Sequence, residues 1–347
     1  MVTPFSRGQG KMFVKKISEI CGRCAIIASG LDGYSLSDTL ECGQAFRFVK
    51  LSPTDDGSEN SVGKLYPGYV EYMTVVRDRL IFVGQRDRSE LIFYGVSERD
   101  FDEVCVPYFA LDLDYREIKQ DILKNTDSDF LKKAAECASG IRILRQDPWE
   151  TLFSFIISQN NNIPRIKGII RNISAAYGEN LAERRGLSKC PKECLECCKN
   201  GAKLDTGACK SCGICYTFPT DRAVVSEPER LLDSHPGFRY KYLTDAAQKV
   251  SSGEIDFEKI KNASSYEATV EELMKIKGVG EKVASCTALF AFSNLDAFPV
   301  DVWMRRAIDE YFGGELDPKT LGRYAGVAQQ YIFHYIRIIN SKQEGTI

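Results

Sequence analysis

Residues Leu273 to Met304 read Leu-Met-Lys-Ile-Lys-Gly-Val-Gly-Glu-Lys-Val-Ala-Ser-Cys, then an apolar run, then Phe-Pro-Val-Asp-Val-Trp-Met. Gly278 and Gly280 flank Val279, and Leu273, Ile276 and Val283 supply apolar contacts on either side. The pattern predicts two helices joined by a tight hairpin. Glycine suits such a turn because it adopts positive φ without strain and lets backbone amides come close to a phosphate. A lone Gly-x-Gly is weak evidence, but between two helical patterns with these flanks it marks a helix-hairpin-helix.

Lys282 falls in the first turn of the second helix. The positive end of the helix dipole disfavours its charged form, and a neutral amine is a nucleophile. Taken alone, the hairpin favours a plainer role, a lysine that touches a phosphate. Asp301 shifts that balance. Phe298 precedes Pro299 and is pushed out of the α region, so this stretch is extended and Asp301 caps a helix from Val302 to Phe312. A carboxylate there also stabilises positive charge developing on a sugar ring. An amine and a carboxylate, each at a helix N-terminus, suit that chemistry. Cys286 lies one turn beyond Lys282 on the same face.

The chain around this stretch is long enough for two or three domains: 347 residues, 44% hydrophobic and 27% charged. A net charge of −2 and a pI near 5.9 give no global sign of nucleic-acid binding. A local basic face is all that gripping a few phosphates requires. His235 and His334 are the only histidines, which argues against a histidine-rich metal or catalytic site. No apolar run approaches the roughly 20 residues that span a bilayer. Met1 to Lys16 has basic residues but no apolar signal core. The expectation is a cytoplasmic, nucleoid-associated monomer.

Lys11 to Tyr94 is strand-like, with β-branched and aromatic runs at Tyr69 to Val76 and Arg79 to Val83 and a polar loop from Ser52 to Gly63. Ser97 and Asp100 suggest a helix start. From about Ile118 the period is helical. Asp147-Pro148-Trp149-Glu150 is a strong helix start, and Pro164 opens a helix closed by Gly178 near Tyr177. A final helix is predicted from about Pro318 to Ile339. The fold class is α+β: an N-terminal twisted antiparallel β-sheet domain at 1–117, then an all-helical helix-hairpin-helix domain at 118–347 with a Cys-rich insertion at 187–216.

Seven of the 13 cysteines lie between Cys190 and Cys215. Without a signal peptide, such a cluster points to metal ligation rather than disulfides. Structural zinc ranks first, with Cys194, Cys197, Cys209 and Cys212 as the ligand set and Cys190 or Cys215 as substitutes. An iron–sulfur cluster ranks second and unligated thiols third.

The segment around the hairpin resembles the helix-hairpin-helix, Gly/Pro-Asp superfamily of DNA glycosylases, and within it the 8-oxoguanine DNA glycosylase family. Gly43-Gln44-Ala45-Phe46-Arg47, Leu144-Arg145-Gln146-Asp147-Pro148, Ser158-Gln159-Asn160-Asn161-Asn162-Ile163, Gly237-Phe238-Arg239 and Tyr324-Ala325-Gly326 look like that family's blocks, in its order. The resemblance spans roughly Lys11 to Ile339 and leaves out the cysteine segment.

It implies a bifunctional glycosylase and AP lyase acting on 8-oxoguanine in duplex DNA by base flipping, with no catalytic cofactor. Lys282 would be the nucleophile and Asp301 the assisting carboxylate. Gly43 would offer its carbonyl to the N7–H that 8-oxoguanine has and guanine lacks. Phe333 and Cys286 would sandwich the flipped base, and Gln329 would read its Watson–Crick edge. Asn160 would fill the gap in the duplex, Arg165 and Arg239 would read the orphaned cytosine, and Phe238 would be a wedge. Gly278 and Gly280 would hold a phosphate. Trp303 stands where eukaryotic members typically carry a histidine, so DNA contacts there would differ. The competing expectations are a glycosylase for another damaged base and a non-catalytic helix-hairpin-helix protein that binds damaged DNA.

Overall fold

The structure is a computed structural model that describes residues 13–20, 23–51, 70–184, 215–263 and 265–343. The strands are β1 Val14–Ile20, β2 Arg23–Ser29, β3 Phe48–Leu51, β4 Val70–Val76, β5 Arg79–Asp87 and β6 Glu90–Tyr94. They form one antiparallel sheet in the order β1-β2-β6-β5-β4-β3. One face packs Ile26, Ile81, Val83 and Phe93 against Phe101, Phe109 and Leu144. The opposite face of β3, β4 and β5 buries Val49, Leu51, Met73, Val75 and Leu80 against Leu181 and Cys215.

The strand-like reading of the first 94 residues misses one element. Helix α1, Leu36–Glu41, is capped by Ser35 and buries Leu36 and Leu40. At six residues it is too short to announce itself by period. The expected helix start at Ser97 is present, and a helical segment with a π turn at Phe101–Cys105 follows it.

Helices then follow in order: α2 Tyr115–Lys124, α3 Asp129–Cys137, α4 Pro148–Ser158, α5 Ile163–Tyr177, α6 Leu181–Arg184 and α7 Asp221–Ser226. After them come α8 Tyr240–Ser251, α9 Phe257–Lys261, α10 Tyr266–Met274, α11 Glu281–Phe292, α12 Val302–Tyr311 and α13 Ala325–Gln343. Helix α4 starts as the sequence dictates: Asp147 accepts from the amide of Glu150 at 3.0 Å, with Pro148 at the first helical position.

Two ends differ from expectation. Gly178 closes α5 as expected, but with φ −82 rather than in the left-handed conformation usual for a glycine cap. A Cβ there would lie 2.7 Å from the Ser174 carbonyl and collide with Thr217, so close packing is what calls for glycine. After α7 the chain makes a 3₁₀ turn, Pro228–Ser234, ended by His235 at φ 55. The predicted last helix opens with a 3₁₀ turn, Pro318–Tyr324, broken at Gly322 (φ 74), and is an α-helix only from Ala325, as α13.

The hairpin joins α10 to α11. Gly278 has φ +79, and a Cβ on it would stand 2.5 Å from ring carbons of Tyr242. Gly280 has an ordinary φ of −97 and open space around it. Positive φ is thus required at the first glycine only. Asp245 on α8 accepts from the amide of Lys277 at 2.7 Å and ties the turn down.

Candidate active site

A cleft of about 540 Å³ opens between the sheet's Gly43 loop and helices α4, α11, α12 and α13. Its walls include Gly43, Lys282, Cys286, Asp301, Trp303, Gln329 and Phe333. All seven were singled out in the sequence, and they come together from segments almost 300 residues apart.

Lys282 enters from the first turn of α11, behind Gly280 as cap. Its Nζ lies 3.5 Å from Ser158 Oγ and 5.0 Å from the Phe155 ring centroid. Ser158 donates its own proton to the Phe155 carbonyl at 2.8 Å. Cys286, one turn on, is buried. Burial pushes its thiol up, the Lys282 charge opposes that rise, and the Asp301 carboxylate adds to it. Asp301 Oδ1 accepts from the amide of Met304 at 2.9 Å and so caps α12. The carboxylate's place in the cleft wall is therefore fixed by the helix it starts.

Gly43 sits at φ +89, with the Phe333 ring 3.7 Å from where a Cβ would stand. Its loop is locked by glutamines. Gln44 Nε2 donates to the carbonyls of Thr39 and Arg142, each at 2.8 Å, and its Oε1 accepts from the amide of Leu144 at 2.8 Å. Gln146 Nε2 donates to the Gln44 carbonyl at 2.7 Å, while the Gln146 amide donates to Phe290 on α11 at 2.8 Å. A chain of hydrogen bonds thus runs from the Gly43 loop to the helix that carries Lys282. The other members of the wall include Ser158, Phe155, Gln330 and Arg337, none of them given a role from sequence. Ser158 stood inside a quoted block. Gln330 and Arg337 carried no signal of their own.

The predicted DNA-contacting residues other than Trp303 lie outside this cleft. Asn160 is exposed at φ 47, a left-handed position that asparagine tolerates better than most residues. Arg239 holds it there: the guanidinium donates to Gln159 O and Asn160 O, each at 2.9 Å, and to Pro236 O at 3.1 Å. Burial, reinforced by the charge of Arg165, lowers the Arg239 pKa from its usual value. Arg165 itself is exposed. Phe238 is 49% exposed and meets Tyr242 edge to face at 6.0 Å. Since the Tyr242 ring lies on Gly278, the exposed aromatic and the hairpin share one support.

Cys190, Cys194, Cys197, Cys209 and Cys212 lie outside the described residues. Cys215 is buried on the sheet beside Leu181. Among the described residues no group of three or more metal-ligating side chains occurs. No helix of the described residues is long and apolar enough to cross a membrane.

The family described as 8-oxoguanine DNA glycosylase, N-terminal domain, matches residues 27–152, and the helix-hairpin-helix motif matches residues 258–290. The N-glycosylase/DNA lyase of Saccharomyces cerevisiae is 28% identical over 313 residues, which cover 86% of this chain and 69% of that protein. Among solved structures, MBOgg1 in complex with a low-affinity DNA ligand is 32% identical with a TM-score of 0.74. That alignment covers 94% of this chain and 99% of the other. The Clostridium acetobutylicum 8-oxoguanine glycosylase/lyase, in complex with duplex DNA containing cytosine opposite 8-oxoguanine, is 31% identical with a TM-score of 0.73. Here the shares are 94% and 98%. The likeness runs over nearly the whole of both chains, and the chain belongs to the 8-oxoguanine DNA glycosylase family.

Proposed function

We propose that this chain is a bifunctional DNA glycosylase and AP lyase that excises 8-oxoguanine from duplex DNA. The observation that carries the reading is the shared cleft: Lys282 and Asp301 line the same space as Gly43, Cys286, Gln329 and Phe333. Extruding a nucleotide costs a few kcal/mol, which side chains entering the gap offset. Asn160 fills the gap, Phe238 is the wedge, and Arg165 and Arg239 read the orphaned cytosine. Arg239 also fixes the turn that presents Asn160. Gly278, Gly280 and Trp303 line the path of the phosphates.

The Lys282 amine attacks C1′, and the bond from C1′ to the base breaks with its electrons leaving on the base. Asp301 stabilises positive charge as it develops on the sugar. Loss of a proton from the amine and opening of the sugar ring give an imine. Removal of a C2′ proton then expels the 3′ phosphate by β-elimination. The Gly43 carbonyl discriminates because guanine would set N7, an acceptor, against an acceptor.

The division at residues 117 and 118 falls across the site: the sheet unit supplies Gly43, and the helical unit supplies the amine, the carboxylate and the other base-facing residues Cys286, Gln329 and Phe333. The insertion at 187–216 holds structural zinc on Cys194, Cys197, Cys209 and Cys212. Removing the metal loosens the insertion and spares base chemistry, while a brown chromophore in purified protein overturns zinc. A monomer in the cytoplasm, on the nucleoid, fits these roles.

The test is borohydride trapping on duplexes with 8-oxoguanine opposite each of the four bases. Wild type is expected to cross-link and Lys282→Gln to lose the cross-link. Trapping that persists in the variant removes Lys282 from its role, and binding without turnover in wild type removes the enzyme.

A further inference from the structure

Among the described residues that line the cleft there are two cations, Lys282 and Arg337, and one carboxylate, Asp301. The proposed chemistry uses Lys282 and Asp301 and leaves Arg337 without a part. Arg337 is half-buried on α13, one turn after Phe333, so both side chains emerge on one face of the helix. Its guanidinium stands 5.4 Å from the Phe333 ring centroid. Among the described residues it has no hydrogen-bond or ion-pair partner.

Two relationships put that charge on the Gly43 side of the cleft. The Phe333 ring is 3.7 Å from where a Gly43 Cβ would stand. Burial pushes the thiol of Cys42, the residue before Gly43, up to about 12, and the Arg337 charge acts against that rise. Unoccupied guanidinium N–H donors therefore lie beside the loop whose carbonyl, on the proposed reading, accepts from N7–H.

In 8-oxoguanine the carbonyl oxygens O8 and O6 flank N7. When the bond from C1′ to N9 breaks, its electron pair stays on the base. Resonance carries that pair from N9 directly onto O8, and through C4 and C5 onto O6. Negative charge thus collects on the two oxygens beside N7–H during the bond-breaking step, where a fixed cation stabilises it.

We propose that Arg337 donates to one of these oxygens and stabilises the base as it departs as an anion. This rests on the reading of the cleft as an 8-oxoguanine site and adds a catalytic residue on the leaving-group side. The carboxylate of Asp301 then serves the sugar, Arg337 serves the base, and the Lys282 amine attacks uncharged. A DNA phosphate at the mouth of the cleft offers the same acceptor chemistry, and the measurements separate the two sources.

The experiment compares wild type with Arg337→Met, which keeps an apolar stem without charge, and Arg337→Lys, which keeps the charge. Three quantities are read: single-turnover excision of 8-oxoguanine, single-turnover cleavage of an abasic duplex, which has no base to lose, and the Kd for a duplex carrying 2′-fluoro-8-oxodeoxyguanosine, whose fluorine slows bond breaking. In Arg337→Met, excision is expected to fall about tenfold or more, abasic cleavage to stay within about twofold and the Kd to rise less than about threefold. Arg337→Lys is expected to keep at least about a third of the wild-type excision rate.

Unchanged excision in Arg337→Met overturns the proposal. A parallel fall in excision and abasic cleavage also overturns it, since that marks a phosphate contact. So does a Kd that rises as much as excision falls, which marks binding of the base before the bond breaks. Excision as slow in Arg337→Lys as in Arg337→Met overturns it too, because the charge alone should act. Wild type that leaves 8-oxoguanine intact refutes the glycosylase reading itself, a result distinct from all of these.

Discussion

Lys282 Nζ lies 3.5 Å from Ser158 Oγ, and that hydroxyl has already given its proton to the Phe155 carbonyl. The oxygen therefore faces the amine as an acceptor only. It fixes the direction of a side chain with four rotatable bonds, whose freedom is otherwise costly to lose. Ser158→Ala removes this hold without touching the amine. Single-turnover excision is expected to fall about tenfold, the size of one hydrogen bond in a buried site, with DNA affinity unchanged. Equal rates in variant and wild type would show that packing against Phe155 suffices to aim the amine.

The two hairpin glycines separate into a structural and a contact position. Gly278→Ala forces a methyl into the Tyr242 ring at φ +79. A loss of about 1–3 kcal/mol is expected, seen as a lower unfolding midpoint, together with weaker DNA binding. Gly280→Ala meets open space at φ −97, so the unfolding midpoint should hold. If the hairpin amides hold a phosphate as proposed, this methyl obstructs its approach, and the Kd for duplex DNA is expected to rise about tenfold. A destabilised Gly280→Ala would contradict the division.

Cys286 is held as a thiol. Burial is the largest influence and raises its pKa, whereas the Lys282 charge lowers it. Only the thiolate reacts with iodoacetamide. Alkylation should therefore be slow near neutral pH and speed up as pH rises. Lys282→Gln removes a lowering influence, so the thiol pKa should move further up and alkylation at a given pH slow further. Peptide mass mapping of Cys286 along a pH series measures both. Faster alkylation in Lys282→Gln would mean that the lysine shields the thiol sterically more than it polarises it.

How much of this was legible in sequence depends on the range of the interaction. Asp301 as a cap, Asp147-Pro148 as a helix start and Gly278 as a turn are local facts, carried by residues within a few positions of one another. The meeting of Gly43, Lys282 and Phe333 in one cleft is non-local, and only the order of family-like blocks foretold it. Gly178 caps its helix as the sequence suggested, but what calls for glycine there is the contact with Thr217, which no local pattern encodes. Helix α1 was hidden by its length. The pairing of Gln329 with Gln330 left no trace in sequence because adjacent residues on a helix normally face different ways.

A chain of hydrogen bonds ties the Gly43 loop to α11, the helix that carries Lys282, and on the proposed reading it sets lesion reading against chemistry. Gln44 is its keystone: buried, with Nε2 on the carbonyls of Thr39 and Arg142 and Oε1 on the amide of Leu144. Gln44→Ala strands the Arg142 carbonyl and the Leu144 amide and leaves the Thr39 carbonyl only the Cys42 thiol as donor. At about 1–3 kcal/mol for each buried unsatisfied group, less what water recovers, a stability loss of about 2–5 kcal/mol is expected. The Gly43 carbonyl should then lose its fixed position relative to Lys282. On the proposed reading, excision of 8-oxoguanine depends on that carbonyl, whereas cleavage at an abasic site does not. Well below the variant's unfolding midpoint, the ratio of the two rates should drop about tenfold or more. If both rates fell together, Gln44 would serve only the packing of the sheet against the helices, and the Gly43 loop would take its position from the Phe333 ring instead.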